Sequence, residues 1–271
     1  MATGSMEFSA PSLNRITRFH FILPNDAPPF LMERNPNYDR PTKAIYLLHG
    51  YSANCGDWML NTRLVDLAYR YNLAVFCPNG DNSFYLDGEA TGFHYATFVG
   101  QELVDFTRRV FGLSAKREDT MIGGVSMGGF GALHTALQFP DTFSAVAAFS
   151  SALIIYNISN MKPGERNEIA NYAYYQQCFG DLSTIVTSRN NPEVLAAELL
   201  ENGRTIPKIY MAVGTEDFLY QENQVFLNFL RSHRIPVSYH ESPGGHDYSF
   251  WGQYIEPAIQ WMLNEDTQDA G

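Results

Sequence analysis

Met121-Ile122-Gly123-Gly124-Val125-Ser126-Met127-Gly128-Gly129-Phe130-Gly131-Ala132-Leu133 reads as a short buried strand that turns sharply into a helix. Gly124 to Gly128 fits the pattern G-x-S-x-G. In such a turn a side chain just before or after the serine would collide with the crossing backbone. The glycines remove that clash, and the serine hydroxyl is left exposed at the start of the helix. Ser126 is therefore the candidate nucleophile. A dinucleotide-binding fingerprint fails at the same place. Gly129-Phe130-Gly131 is followed by Ala132, Leu133 and His134, so the third glycine is missing.

Outward from this turn the chain alternates. Short, continuously apolar runs lie at 44–48, 73–77, 144–149, 208–213 and 236–241, as expected of strands buried on both faces. Helical patterns lie between them at 63–71, 99–111, 130–139, 221–231 and 254–263. This rhythm predicts an α/β fold, with a mostly parallel central sheet and helices on both faces. A further β-like run, Ile16 to Leu23, precedes a loop rich in proline and asparagine. Residues 152 to about 205 break the rhythm. They hold no good strand and are rich in Tyr and Asn, and they read as a small helical insertion over the active site.

Composition narrows the function. The chain has 271 residues with 45% hydrophobic and 17% charged, enough for one large domain with a sizeable core. Its net charge of −11 makes nucleic acid and anionic lipid poor partners. No apolar run is long enough to span a membrane. A homo-oligomer stays open. Cys55, Cys77 and Cys178 form neither a disulfide framework nor a zinc motif, so no metal and no cofactor are expected. The start, MATGSMEFSA, lacks the apolar core of a signal peptide, which points to the cytoplasm. Residues 1–5 resemble a cloning remnant, with Met6 as the native start and 6–271 as a single domain. A leader trimmed along with the native start is compatible with this reading.

A nucleophilic serine needs a base, and the base needs an orienting acid. His20, His134, His233 and His240 fall in strands or helices away from the catalytic edge. His94 lies in a loop, and His49 precedes the serine and better suits bracing its own loop. His246 in Ser242-Pro243-Gly244-Gly245-His246-Asp247 follows the last strand and can swing over the turn. The acid should follow the preceding strand, where Glu216 and Asp217 compete. Two backbone N–H groups should bind the oxyanion. One is that of Met127, after the nucleophile. The other is that of Tyr51 in His49-Gly50-Tyr51-Ser52, which follows the strand 44–48.

Taken together, LLHGYSANCGDW, PNGDNSFYLD, GQELVDF, GGVSMGGFGAL, GTEDFLY and GGHDYSFW resemble the esterase D group of α/β-hydrolases. That group holds tributyrin-type carboxylesterases, S-formylglutathione hydrolases, and the acetyl-xylan and feruloyl esterases of carbohydrate esterase family 1, and it borders on the mycolyl transferases. The resemblance covers residues 10 to 265. It implies the α/β-hydrolase fold, with Ser126 as nucleophile, His246 as base, Asp217 as acid, and Tyr51 and Met127 as oxyanion donors. It implies that Trp58 packs under the oxyanion loop and that Ser83, Phe84, Tyr85 and Asp87 lie near the pocket mouth. Ala53 stands where relatives often carry glycine. The implied activity is a metal-independent serine carboxylesterase for short-chain or aryl esters, with acetyl and feruloyl esters of plant cell-wall polysaccharide among the candidates. The insertion matches least well and should set preference through Tyr172, Tyr174, Tyr175 and Phe179. The alternative is an S-formylglutathione thioesterase, in which Lys162, Arg166 or Arg189 would receive the substrate carboxylates. An acyltransferase is the third reading.

Overall fold

The computed structural model describes residues 2–264. Its strands are β1 (Ala2–Ala10), β2 (Arg15–Leu23), β3 (Lys43–Leu48), β4 (Leu73–Pro78), β5 (Asp87–Gly88), β6 (Phe93–His94), β7 (Thr120–Val125), β8 (Ala145–Phe149), β9 (Lys208–Gly214) and β10 (Val237–Ser242). Eight of them form one sheet in the order β1-β2-β4-β3-β7-β8-β9-β10, and β5 pairs with β6 in a separate ribbon. From β4 to β10 every neighbouring pair is parallel. The hairpin β1-β2 adds two antiparallel strands beside β4. Residues 2–5, read from sequence as part of a cloning remnant, lie within β1, where Ala2 faces Leu23 and Ser5 faces His20.

The helices are α1 (Pro29–Met32), α2 (Asp57–Asn61), α3 (Leu64–Arg70), α4 (Tyr95–Thr97), α5 (Leu103–Phe111), α6 (Met127–Gln138), α7 (Ile155–Ile158), α8 (Tyr172–Phe179), α9 (Pro192–Glu201), α10 (Tyr220–Ser232) and α11 (Tyr248–Leu263). They cover both faces. Successive side chains of a strand point to opposite faces, so each central strand feeds two cores. In β3, Ala44, Tyr46 and Leu48 join the core under α5, α6, α9 and α10. Ile45 and Leu47 join the core under α2, α3 and α11. This double burial explains why the strands read as unbroken apolar runs.

Two boundaries differ from the sequence expectation. The helix expected over 99–111 has a wider π-turn at Phe98–Glu102 between α4 and α5. The helix expected to start at 254 starts at Tyr248. The Asp247 side chain accepts hydrogen bonds from the N–H groups of Ser249 and Phe250, at 2.7 and 3.2 Å, and so caps α11 six residues earlier. Between β8 and β9, residues 152–205 contribute no strand to the sheet, only the short helices α7, α8 and α9 and a 3-10 turn.

Candidate active site

The turn from β7 into α6 holds Ser126 at φ 57°, ψ −119°, outside the regions that L-residues favour. Such a conformation persists only where the surroundings over-determine it. Here the Ser126 N–H donates to Phe149 O at 2.9 Å, and Ser126 O accepts from Phe130 N–H and Ala152 N–H at 3.1 and 3.0 Å. The flanking glycines are required by contact. A Cβ on Gly124 would meet Gly128 O at 2.2 Å, and a Cβ on Gly128 would meet Leu48 O at 2.3 Å.

Ser126 Oγ lies 2.9 Å from His246 Nε2. His246 Nδ1 lies 3.0 and 2.9 Å from the two carboxylate oxygens of Asp217. An ionised carboxylate only accepts, so Nδ1 carries the proton and donates to Asp217, while Nε2 accepts from the serine hydroxyl. Asp217 is buried and Glu216 is exposed, which separates the two carboxylates left open by spacing alone. Burial pushes the Asp217 pKa up. Hydrogen bonds from His246, from the Ser150 hydroxyl and from the Leu219 N–H outweigh it and hold the carboxyl below its usual value. Trp251 Nε1 donates to Ser150 Oγ at 2.9 Å, so that hydroxyl is itself held in place. The imidazole is packed between Phe218 and Trp251, with ring centroids at 4.5 and 5.1 Å.

The loop after β3 approaches the serine from the other side. A Cβ on Gly50 would lie 3.5 Å from Ser126 Cβ, so the backbone reaching Tyr51 runs beside Ser126. Met127 opens α6, where the first N–H groups have no partner within the helix. His49 braces this loop: its Nε2 accepts from Gly80 N–H at 2.9 Å and its Nδ1 donates to Gly50 O at 2.8 Å. Burial lowers the His49 pKa, which suits a neutral structural ring. Trp58 is fully buried and donates from Nε1 to Leu48 O at 2.9 Å, beneath the loop. Ser52, next to Ala53, takes a left-handed φ of 60°. Among the described residues no group of three or more His, Cys, Asp or Glu side chains is placed to hold a metal.

This constellation places a hydroxyl against an imidazole that is held by a carboxylate, beside a cavity bordered by Tyr51 and Met127. Residues 10–262 match the model of the Esterase family, described as "Putative esterase". The chain belongs to this esterase family. It is a carboxylic ester hydrolase of the serine type with the α/β-hydrolase fold. An acetyl esterase of Caldicellulosiruptor saccharolyticus is 44% identical, over 97% of this chain and 98% of that one. Among solved structures, the Staphylococcus aureus serine hydrolase FphF is 31% identical with TM-score 0.83, covering 97% of this chain and 98% of its own. The S-formylglutathione hydrolase FrmB of the same species is 32% identical with TM-score 0.80, covering 97% and 99%.

The esterase has a cavity of about 310 Å³ beside Ser126. Tyr51 and Met127 border it, and the insertion supplies much of its wall through Ile154, Ile158, Ile169 and Tyr175. Of the residues expected in the pocket or at its mouth, Phe84 and Tyr175 line this cavity, whereas Ser83, Tyr85, Asp87, Tyr172, Tyr174 and Phe179 do not. Tyr85 is fully buried behind the loop after β3 and donates its hydroxyl to His49 O at 3.2 Å. Asp87 accepts from Thr97 N–H and Oγ at 2.9 and 2.7 Å, a packing role. Phe179 is buried against Phe84 and Phe130, with centroids at 4.7 and 5.6 Å. Tyr172 packs on the core outside the cavity. Tyr174 donates its hydroxyl to Asn82 O at 2.8 Å. Phe218, Leu219 and Glu222 line the cavity without having been expected there, although Phe218 and Leu219 follow Asp217 directly and Glu222 lies one turn further on. That adjacency was the available signal.

Proposed function

We propose that this esterase cleaves short-chain or aryl carboxylic esters through an acyl-enzyme on Ser126. His246 takes the hydroxyl proton as Oγ attacks the carbonyl, then hands it to the leaving alcohol. Asp217 keeps the imidazole in the tautomer with Nδ1 protonated and stabilises the imidazolium. The Tyr51 and Met127 N–H groups bind the developing oxyanion. A water activated by His246 then releases the acid. The observation that carries the reading is the continuous chain of contacts from Ser126 Oγ through His246 to both oxygens of Asp217.

The acetyl esterase relative favours a small acyl group, and the modest cavity agrees with it. Acetyl esters of plant cell-wall polysaccharide are one source of such groups. We place the protein in the cytoplasm, in keeping with three cysteines that are all free thiols. A fluorophosphonate should label Ser126 alone, and Ser126→Ala should lower kcat on p-nitrophenyl acetate by about 10⁴ or more with unchanged folding. Labelling at another serine, or near-normal turnover by the alanine variant, refutes the assignment.

A further inference from the structure

We infer that two acidic side chains in the pocket wall, Glu168 and Glu222, select neutral, hydroxyl-bearing esters and reject anionic ones. The inference rests on the esterase reading above. Among the residues lining the cavity beside Ser126, these two are charged and none is basic. They come from opposite sides, Glu168 from the insertion and Glu222 from the first turn of α10. Glu222 is not a free surface group. Its Oε1 accepts from Asn157 Nδ2 at 2.8 Å, which ties α10 to the insertion. Its Oε2 is buried and has no hydrogen-bond partner among the described residues. A buried acceptor of this kind calls for a donor, and a substrate hydroxyl supplies one.

The basic residues expected to receive a glutathione carboxylate lie elsewhere. Lys162 and Arg166 are exposed and do not line this cavity. Arg189 pairs with Glu198 on α9. A substrate carboxylate entering beside Ser126 would therefore meet like charge from two directions without a compensating cation. Glu222 is part-buried, so its repulsion is screened less than on an open surface, whereas Glu168 is exposed and acts from the more strongly screened rim. Thioesters of glutathione, with two carboxylates, fall in the rejected class.

The test uses matched substrates. 4-Acetoxybenzoate and 4-acetoxybenzamide differ in charge on the leaving-group side. p-Nitrophenyl hemisuccinate and p-nitrophenyl butyrate differ on the acyl side. S-Formylglutathione is run beside them. The readout is the ratio of kcat/KM for the anionic to the neutral member of each pair. Glu222→Gln should raise that ratio about fivefold for at least one pair, Glu168→Gln less, and the double variant most. Both changes are near-isosteric, and the glutamine at 222 can still accept from Asn157. In the wild type, added salt should raise the same ratio. Ratios that stay at the wild-type value in both variants overturn the inference, whatever the salt response, while neutral esters are still turned over through Ser126. Efficient wild-type hydrolysis of S-formylglutathione also overturns it. Absence of any Ser126-dependent turnover of the neutral esters overturns the esterase reading, and the inference with it.

Discussion

His134, two turns into α6 from the nucleophile, makes acid stability a quantitative test of this structure. Its ring is buried and stacks on Phe130, with centroids 6.1 Å apart. Nε2 donates to Arg189 O at 3.0 Å, while the buried Nδ1 has no partner among the described residues. A second ring proton would have nothing to bind, and burial accordingly pushes the His134 pKa down to about 4. The unfolded chain takes up that proton near pH 6.5 and the folded chain resists until about pH 4. Stability must therefore fall as the pH is lowered through this window. With one pKa unit worth about 1.4 kcal/mol, His134 alone should cost about 2 kcal/mol of stability between pH 7 and pH 4.5. His49 and His240, also depressed by burial, add to the same slope. His134→Gln keeps an N–H for Arg189 O and removes the titration. Urea unfolding at several pH values gives the stability curve of each protein. The wild-type curve should drop more steeply than that of the variant, the gap closing by about 2 kcal/mol from pH 7 to 4.5. Parallel curves would mean that the ring is protonated or solvated in the folded state, and the description of this core would be wrong.

Asp217→Asn should lower kcat by about 10⁴, because the tautomer of His246 is no longer fixed, whereas Glu216→Gln should stay within about twofold of wild type. The reverse order in a p-nitrophenyl acetate assay would assign the acid to Glu216. Tyr175→Ala or Ile158→Ala should shift relative kcat/KM between acetyl and bulkier acyl esters by about 10- to 100-fold, since both side chains line the cavity. Tyr172→Ala should leave that preference unchanged, and a comparable shift there would mean that the cavity wall has been drawn in the wrong place.

The fold was legible where local sequence and tertiary environment demand the same thing. A strand buried on both faces needs apolar residues throughout, so β3, β4, β7, β8 and β9 announce themselves. The elbow does so for a different reason: backbone of three segments converges there, and glycine alone fits at 124 and 128. β1 was not legible. An edge strand is held by its ladder to β2, which leaves Ala2-Thr3-Gly4-Ser5 free to read as a cloning remnant. The start of α11 was hidden because Gly244-Gly245-His246-Asp247 looks like loop, although one of its members caps the helix. The pocket wall was the least legible part. Three tyrosines crowd 172–175, but on one helix they point in different directions, and only Tyr175 reaches the cavity. The other wall residues come from segments without any motif, brought together by the path of the insertion.

The same ladder that builds the sheet also positions the chemistry. Ser126, Asp217 and His246 follow β7, β9 and β10, strands separated in sequence but joined through β8. Their loops do not hang free beyond the strand ends. Ser126 N–H donates to Phe149 O at the end of β8, and Ser150 N–H donates to Ala212 O in β9. Thr215 N–H donates to Ser242 O at the end of β10, and Glu216 N–H to Gly244 O. The backbone bonding thus continues past the last sheet pairs and fixes the loops that carry Ser126, Asp217 and His246 to one another before any side chain is considered. The insertion is joined to this frame largely through side chains, such as the Asn157–Glu222 and Tyr174–Asn82 contacts. Changes in the insertion can then alter which ester fits while leaving the separation of Ser126 and His246 intact. On this reasoning, specificity and reactivity in this esterase are separable by mutation, and variants of Glu168, Glu222 or Tyr175 should move substrate ratios far more than they move fluorophosphonate labelling of Ser126.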